Sequence, residues 1–223
     1  MKPNHSIPAS NDDTWRVFRI MAEFVEGFET LSRIGPCVTI FGSARTPSDH
    51  EYYRLSYQTA THAVSNGYGV ITGGGPGIME AANKGALDAG GTSVGLNIQL
   101  PYEQVPNPFI KTLINFRHFF SRKVMFLKYT SAVIAMPGGY GTMDEVFETL
   151  TLIQTQKAKY LPLILMGSDY WNGLLEWLEE KMLGTEYIDS DDVSLMKVID
   201  DPEEAISTIN DFYKKRESDV NFV

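Results

Sequence analysis

The chain has 223 residues, enough for one large domain with a substantial buried core, and its 28 acidic against 19 basic side chains give a formal net charge of −9. That balance excludes broad binding to nucleic acid or an anionic membrane, both of which need a basic field, so any phosphate must meet local donors. A single cysteine, Cys37, excludes an internal disulfide, and the scattered His5, His50, His62 and His118 offer no metal-ligand spacing, so neither metal nor cofactor is expected.

The start, Met1-Lys2-Pro3-Asn4, lacks an apolar leader core, and no run reaches about 18 apolar residues; the expected location is the cytoplasm. A polar tail is expected over residues 1–11, followed by one domain over 12–223. Trp15, Phe18, Met21, Phe24, Val25, Phe28 and Leu31 recur at helical spacing and predict an amphipathic helix over 14–33. Strands and helices then alternate. Strands are expected at 37–41, 69–72, 93–98, 112–116, 132–136, 163–166 and, weakly, 196–199. Helices are expected over 52–65, 79–88, 122–128, 146–154, 170–183 and 203–214, and a looser stretch holds Pro101, Pro106 and Pro108. Such alternation predicts an α/β, Rossmann-like doubly wound, mainly parallel sheet with helices on both faces, in a single domain.

Three strand-to-helix turns are rich in small residues: Gly42-Ser43-Ala44-Arg45, Gly73-Gly74-Gly75-Pro76-Gly77, and Pro137-Gly138-Gly139-Tyr140-Gly141-Thr142-Met143-Asp144-Glu145. Ligands of open parallel sheets bind beyond the carboxyl ends of the strands, so these turns are expected to form one floor. In the third, a buried strand enters a helix at Thr142, leaving unpaired N–H groups at the positive end of a helix dipole where a phosphate can sit. Glu145 is then expected in the first helical turn, a carboxylate beside the anion. Thr142-x-x-Glu145 also fits a capping box with no catalysis implied, and both readings stand at this point.

Familiar alternatives fail. A dinucleotide fingerprint started at Gly73 and Gly75 meets Ile78 at its third glycine, and started at Gly75 and Gly77 it meets Glu80. Neither an NTPase P-loop nor a G-x-S-x-G elbow occurs, and nothing marks a pyridoxal site.

Upstream of the third turn stands Arg122-Lys123, and this pair followed by P-G-G-x-G-T-x-x-E resembles the Lonely Guy family, cytokinin riboside 5′-monophosphate phosphoribohydrolases long labelled lysine decarboxylases. The resemblance extends through F-G-S-A-R at Phe41–Arg45, G-G-G-P-G-I-M-E-A-A at Gly73–Ala82 and G-L-N-I-Q-L-P at Gly95–Pro101, covering roughly residues 36–199. The G-P-G-I-M-E variant and the long N-terminal helix are more similar to the broader bacterial branch than to the short plant enzymes, which implies a purine nucleotide such as AMP. It further implies Arg122 and Glu145 as catalytic residues, 23 positions apart, and Gly138, Gly139, Gly141 and Thr142 as the phosphate loop. Thr151 would supply a pocket hydroxyl, and Glu103 a possible contact to the base. Gly42, Ser43, Gly74, Gly75, Lys123, Tyr140 and Asp144 complete the expected binding set. Family members are homodimers or larger assemblies, and the same is expected here.

Breaking a nucleotide's N-glycosidic bond builds positive charge on C1′ and the ring oxygen, which a fixed carboxylate stabilises. Glu145 would lie under the ribose, and Arg122 would bind phosphate or polarise the leaving base. The rival from another class is a non-catalytic nucleotide or phosphate-ligand carrier on the same sheet. Release of purine from AMP separates the two.

Overall fold

The computed structural model describes residues 11–100 and 105–215. The chain runs α1 (Asn11–Leu31), β1 (Cys37–Phe41), α2 (Glu51–Ser65), β2 (Gly69–Thr72), α3 (Ile78–Asp88), β3 (Ser93–Ile98) and β4 (Thr112–Phe116). It continues with α4 (Phe119–Lys128), β5 (Ala132–Ala135), α5 (Tyr140–Gln154), β6 (Leu163–Leu165), α6 (Ser168–Trp177), α7 (Ser190–Val193), β7 (Met196–Val198) and α8 (Pro202–Lys214). All six strand pairings are parallel, in the order β4-β3-β2-β1-β5-β6-β7. The expected fold class is the observed one.

The apolar runs of β1, β2, β3 and β5 are buried along their whole length because helices cover both faces of the sheet. Alternation splits each strand between two cores. Cys37 and Phe41 of β1 face the side holding Phe126 of α4, Val146 of α5 and Trp171 of α6. Val38 and Ile40 face the side holding Ala60 of α2, Ala82 of α3 and Ile206 of α8. Small residues bring α2 and α3 together, since a Cβ on Gly85 would run into the Tyr57 carbonyl.

From β1 the sheet grows outward through β2 and β3 to β4; the chain then returns through α4 to place β5 on the other side of β1. This reversal is a topological switch point, and it sets the ends of β2, β1 and β5 side by side.

Several expected boundaries move. α4 starts at Phe119 and α5 at Tyr140, so Gly139 and Gly141 of the third turn lie in the cap and first turn of α5, with Gly138 just before them. The segment expected as one helix over 170–183 changes from α to a wider π turn at Leu178–Leu183, with the Gly184 N–H donating to the Glu179 carbonyl at 2.9 Å. The short α7 escapes periodicity because Ser190-Asp191-Asp192-Val193 holds one apolar residue. Of the expected polar tail over 1–11, residues 1–10 lie outside the described residues and Asn11 opens α1; the possible base contact Glu103 lies outside them too. Among the described residues no helix is long and apolar enough to cross a membrane.

Candidate active site

The turns after β1, β2 and β5 are joined by their own backbones. The Ser43 N–H donates to the Pro137 carbonyl at 3.0 Å, and the Ile78 N–H donates to the Ser43 carbonyl at 3.0 Å. Two glycines make this approach possible. Gly77 has φ +67°, and a Cβ there would lie 2.5 Å from the Ser43 oxygen; a Cβ on Gly138 would strike the Thr142 side chain and come within 3.1 Å of the Ser43 nitrogen. Above them opens a cleft of about 810 Å³.

At one end of the cleft stands the start of α5, whose N-cap is Gly139. Thr142 and Met143 both donate backbone N–H bonds to the Gly139 carbonyl, whereas the N–H groups of Tyr140 and Gly141 precede the first helical acceptor. With open space over Gly139 and Gly141, an anion can approach these donors at the positive end of the dipole. Tyr170 braces the turn by donating its hydroxyl to the Gly138 carbonyl at 2.6 Å.

Glu145 faces this cleft although only 7% exposed. Burial pushes its carboxyl up from 4.5 to about 7, against the pull of Arg122 and Lys123, while the neighbouring Glu148 and Asp144 add to the rise. A carboxyl poised there can hold or release a proton at neutral pH. The Arg122 guanidinium is positioned from two sides: its Nε donates to the Leu96 carbonyl at 2.8 Å, and its central carbon lies 4.9 Å from the Phe126 ring centre. Burial lowers its pKa and the Glu145 carboxylate opposes that. A Cβ on Gly73 would collide with this guanidinium, so the second glycine turn provides its room.

The raised carboxyl predicts a pH-dependent stability. Below pH 4.5 Glu145 is neutral in both folded and unfolded chains; between 4.5 and about 7 the unfolded chain ionises first, so folding weakens as pH rises. Above 7 the deficit is constant, on the order of 3 kcal/mol. Glu145→Gln is therefore expected to be more stable than wild type at neutral and alkaline pH, with the difference closing toward acid. Thermal melts of both proteins across this range check it, and a constant difference would contradict the raised carboxyl.

The structure brings Gly42, Ser43, Gly138, Gly139, Tyr140, Gly141, Thr142 and Asp144 to one cleft with Arg122 and Glu145. Others of the expected set lie elsewhere. Gly74 and Gly75 do not line the cleft: their carbonyls accept from the backbone N–H and side-chain amide of Asn107, in a buried network with Thr72, Asn83 and Ser93. Lys123 sits behind the wall, its ammonium 2.9 Å from Asp144 and 2.5 Å from Glu148. Thr151 is exposed on α5 away from the cleft, its hydroxyl donating to the Phe147 carbonyl. The capping box is absent, because α5 begins two residues before Thr142 and Glu145 is its sixth residue, in the second turn rather than the first. Met79, Phe119 and Tyr170 line the cleft without having been expected there; Arg45 and Gly73 line it too and were expected only as parts of the turns forming its floor. Tyr170, 25 residues after Glu145, carried no local signal. Among the described residues no group of three or more His, Cys, Asp or Glu is arranged to hold a metal.

A family model described as "Possible lysine decarboxylase" matches residues 79–209. A cytokinin riboside 5′-monophosphate phosphoribohydrolase of Mycobacterium tuberculosis is 26% identical over 168 residues, which cover 73% of this chain and 88% of that one. A pyrimidine/purine nucleotide 5′-monophosphate nucleosidase of Escherichia coli is 31% identical over 123 residues, 49% of this chain and 27% of the relative. The chain spans about three fifths of the length of other curated relatives it matches. Among solved structures, a Moco carrier protein from Chlamydomonas reinhardtii superposes with a TM-score of 0.60 at 23% identity, covering 81% of this chain and 99% of the carrier; that likeness is one of fold.

Proposed function

The chain belongs to the family described as possible lysine decarboxylase, the Lonely Guy family, and from that premise we propose that it is a nucleoside 5′-monophosphate phosphoribohydrolase. It hydrolyses the N-glycosidic bond of AMP, or of a cytokinin riboside 5′-monophosphate, to free base and ribose 5-phosphate. One observation carries this reading: a buried carboxyl tuned to about 7 and a positioned guanidinium share a cleft with the unpaired N–H groups that open α5.

In this reading the 5′-phosphate docks on the N–H groups of Tyr140 and Gly141, and its binding energy holds C1′ near Glu145. As the C1′–N bond lengthens, the electron pair leaves with the base and the Glu145 carboxylate stabilises the positive charge on the ribosyl ring. Water adds to C1′ and gives its proton to Glu145, which releases it to the solvent as the departing base takes one up from there, so the carboxylate is regenerated. Arg122 polarises the base or holds the phosphate. A homodimer or larger assembly belongs to the same proposal, supported by the exposed Phe18, Met21 and Val25 of α1 and by Tyr140, 96% exposed at the cleft mouth. Cytoplasmic residence does too, consistent with a lone, buried cysteine.

The test is incubation with a panel of nucleosides and nucleotides, with free base and ribose 5-phosphate as readout. AMP is expected to be cleaved. Adenosine should be nearly inert through lost turnover as well as affinity, because it lacks the anchor. ATP should be poor, since a net charge of −9 supplies no surplus field to recruit a triphosphate. Adenosine cleaved as well as AMP would refute the phosphate anchor; tight AMP binding with no free adenine would favour a carrier.

A further inference from the structure

The inward side of α1 reads Ile20, Glu23, Phe24, Gly27 and Leu31, one carboxylate in an otherwise apolar stripe. α1 crosses α4 closely, since a Cβ on Gly27 would lie 2.8 Å from the Met125 side chain. One turn earlier Glu23, only 8% exposed, meets the start of α4. Its Oε1 accepts the Arg117 N–H at 3.0 Å and lies 3.1 Å from His118 Nδ1; its Oε2 accepts the Ser121 hydroxyl at 2.5 Å. Burial works to raise the Glu23 carboxyl, but these donors hold it below its ordinary value. An apolar residue would pack this stripe without the cost of burying a charge, so the carboxylate is placed for its contacts. His118, the N-cap of α4, makes no side-chain cap of its own, and the carboxylate stands at the positive end of that helix.

The residue after Ser121 is Arg122. We propose that Glu23 is a positioning residue for Arg122: by clamping Arg117, His118 and Ser121 it sets where α4 begins, and so where the guanidinium enters the cleft. α1 is thereby part of the active-site scaffold. The side chain of Arg122 is held by the Leu96 carbonyl and its backbone, through α4, by Glu23. The catalytic half of this proposal rests on the reading of Arg122 above.

The test uses the full chain carrying Glu23→Ala, Glu23→Gln or Ser121→Ala, alone and combined with Arg122→Ala. With AMP, Glu23→Ala is expected to lower kcat about 10- to 100-fold with KM little changed, and Glu23→Gln, which keeps one acceptor, should fall between it and wild type. In the Arg122→Ala background Glu23→Ala should lower kcat by no more than about twofold further, because the group it positions is gone. Losses that multiply in the double variant would overturn the proposal. A second readout needs no turnover: the Arg122 Nε–H resonance, identified by its absence in Arg122→Lys, should be protected from exchange in wild type and lose that protection in Glu23→Ala. An unchanged resonance in the Glu23 and Ser121 variants would also overturn the proposal. If wild type releases no base from AMP, the functional reading fails and the resonance alone decides the positioning. Should Glu23→Ala not fold, Glu23→Gln and Ser121→Ala decide it by the same measurements.

Discussion

Glu145→Gln is expected to lower turnover of AMP by about 10²- to 10⁴-fold, the scale for losing a positioned acid or base, while AMP binding changes little. The amide keeps the shape of the side chain and its place on α5, and it removes a buried group whose ionised form burial disfavours. The phosphate donors of Tyr140 and Gly141 are untouched. Activity and stability should therefore move in opposite directions, with a slower enzyme that melts higher above neutral pH. Steady-state kinetics with calorimetric binding of AMP and thermal melts measure all three quantities. A variant that melts lower and turns over like wild type would show that the carboxyl serves α5 rather than the reaction.

Arg122→Ala is expected to lower kcat/KM by about 10²-fold or more, on the scale for removing one fixed electrostatic contact to a developing charge. Arg122→Lys should recover only part of this. A lysine cannot donate to the Leu96 carbonyl with one nitrogen and present a planar fork to the ligand with the others. A pH consequence accompanies the loss. Arg122 draws the Glu145 carboxyl downward, so its removal should carry the acidic limb of the kcat/KM profile to higher pH, away from its wild-type position near 7. An unshifted limb would mean that the two groups do not act together, and wild-type kinetics in Arg122→Ala would remove it from the site.

Both predictions turn on a pair separated by 23 positions in sequence. That the turns after β1, β2 and β5 would meet at one floor was legible beforehand, because each is a small-residue turn at the carboxyl end of a buried parallel strand. Where the reading missed, it assigned local meaning to residues whose partners are distant. Thr142 and Glu145 match a cap in their spacing, but α5 starts at Tyr140 with Gly139 as its N-cap, and the Thr142 side chain packs over Gly138 beside the β1 turn. Gly74 and Gly75 resemble ligand donors, but both are drawn into a buried network: the Gly74 N–H donates to the Thr72 hydroxyl, and Asn107, more than 30 residues on, donates to both carbonyls. Thr151 turns away because three turns of helix carry it past the cleft wall.

Local patterning determined the alternation of strands and helices, the mainly parallel character of the sheet and the position of the glycine-rich turn before α5. Each of these follows from period and backbone freedom within a dozen residues. Only the tertiary structure decided that β5 returns to lie beside β1, which sets the three turns at a single switch point. It also decided the two properties that matter most to the chemistry. The Glu145 carboxyl stands near neutrality because it is buried, and Arg122 shares its cleft because the Leu96 carbonyl, far off in sequence, holds the guanidinium while Glu23 is bonded to the start of α4. Burial and electrostatic coupling depend on distances through space, and no spacing along the chain encodes them.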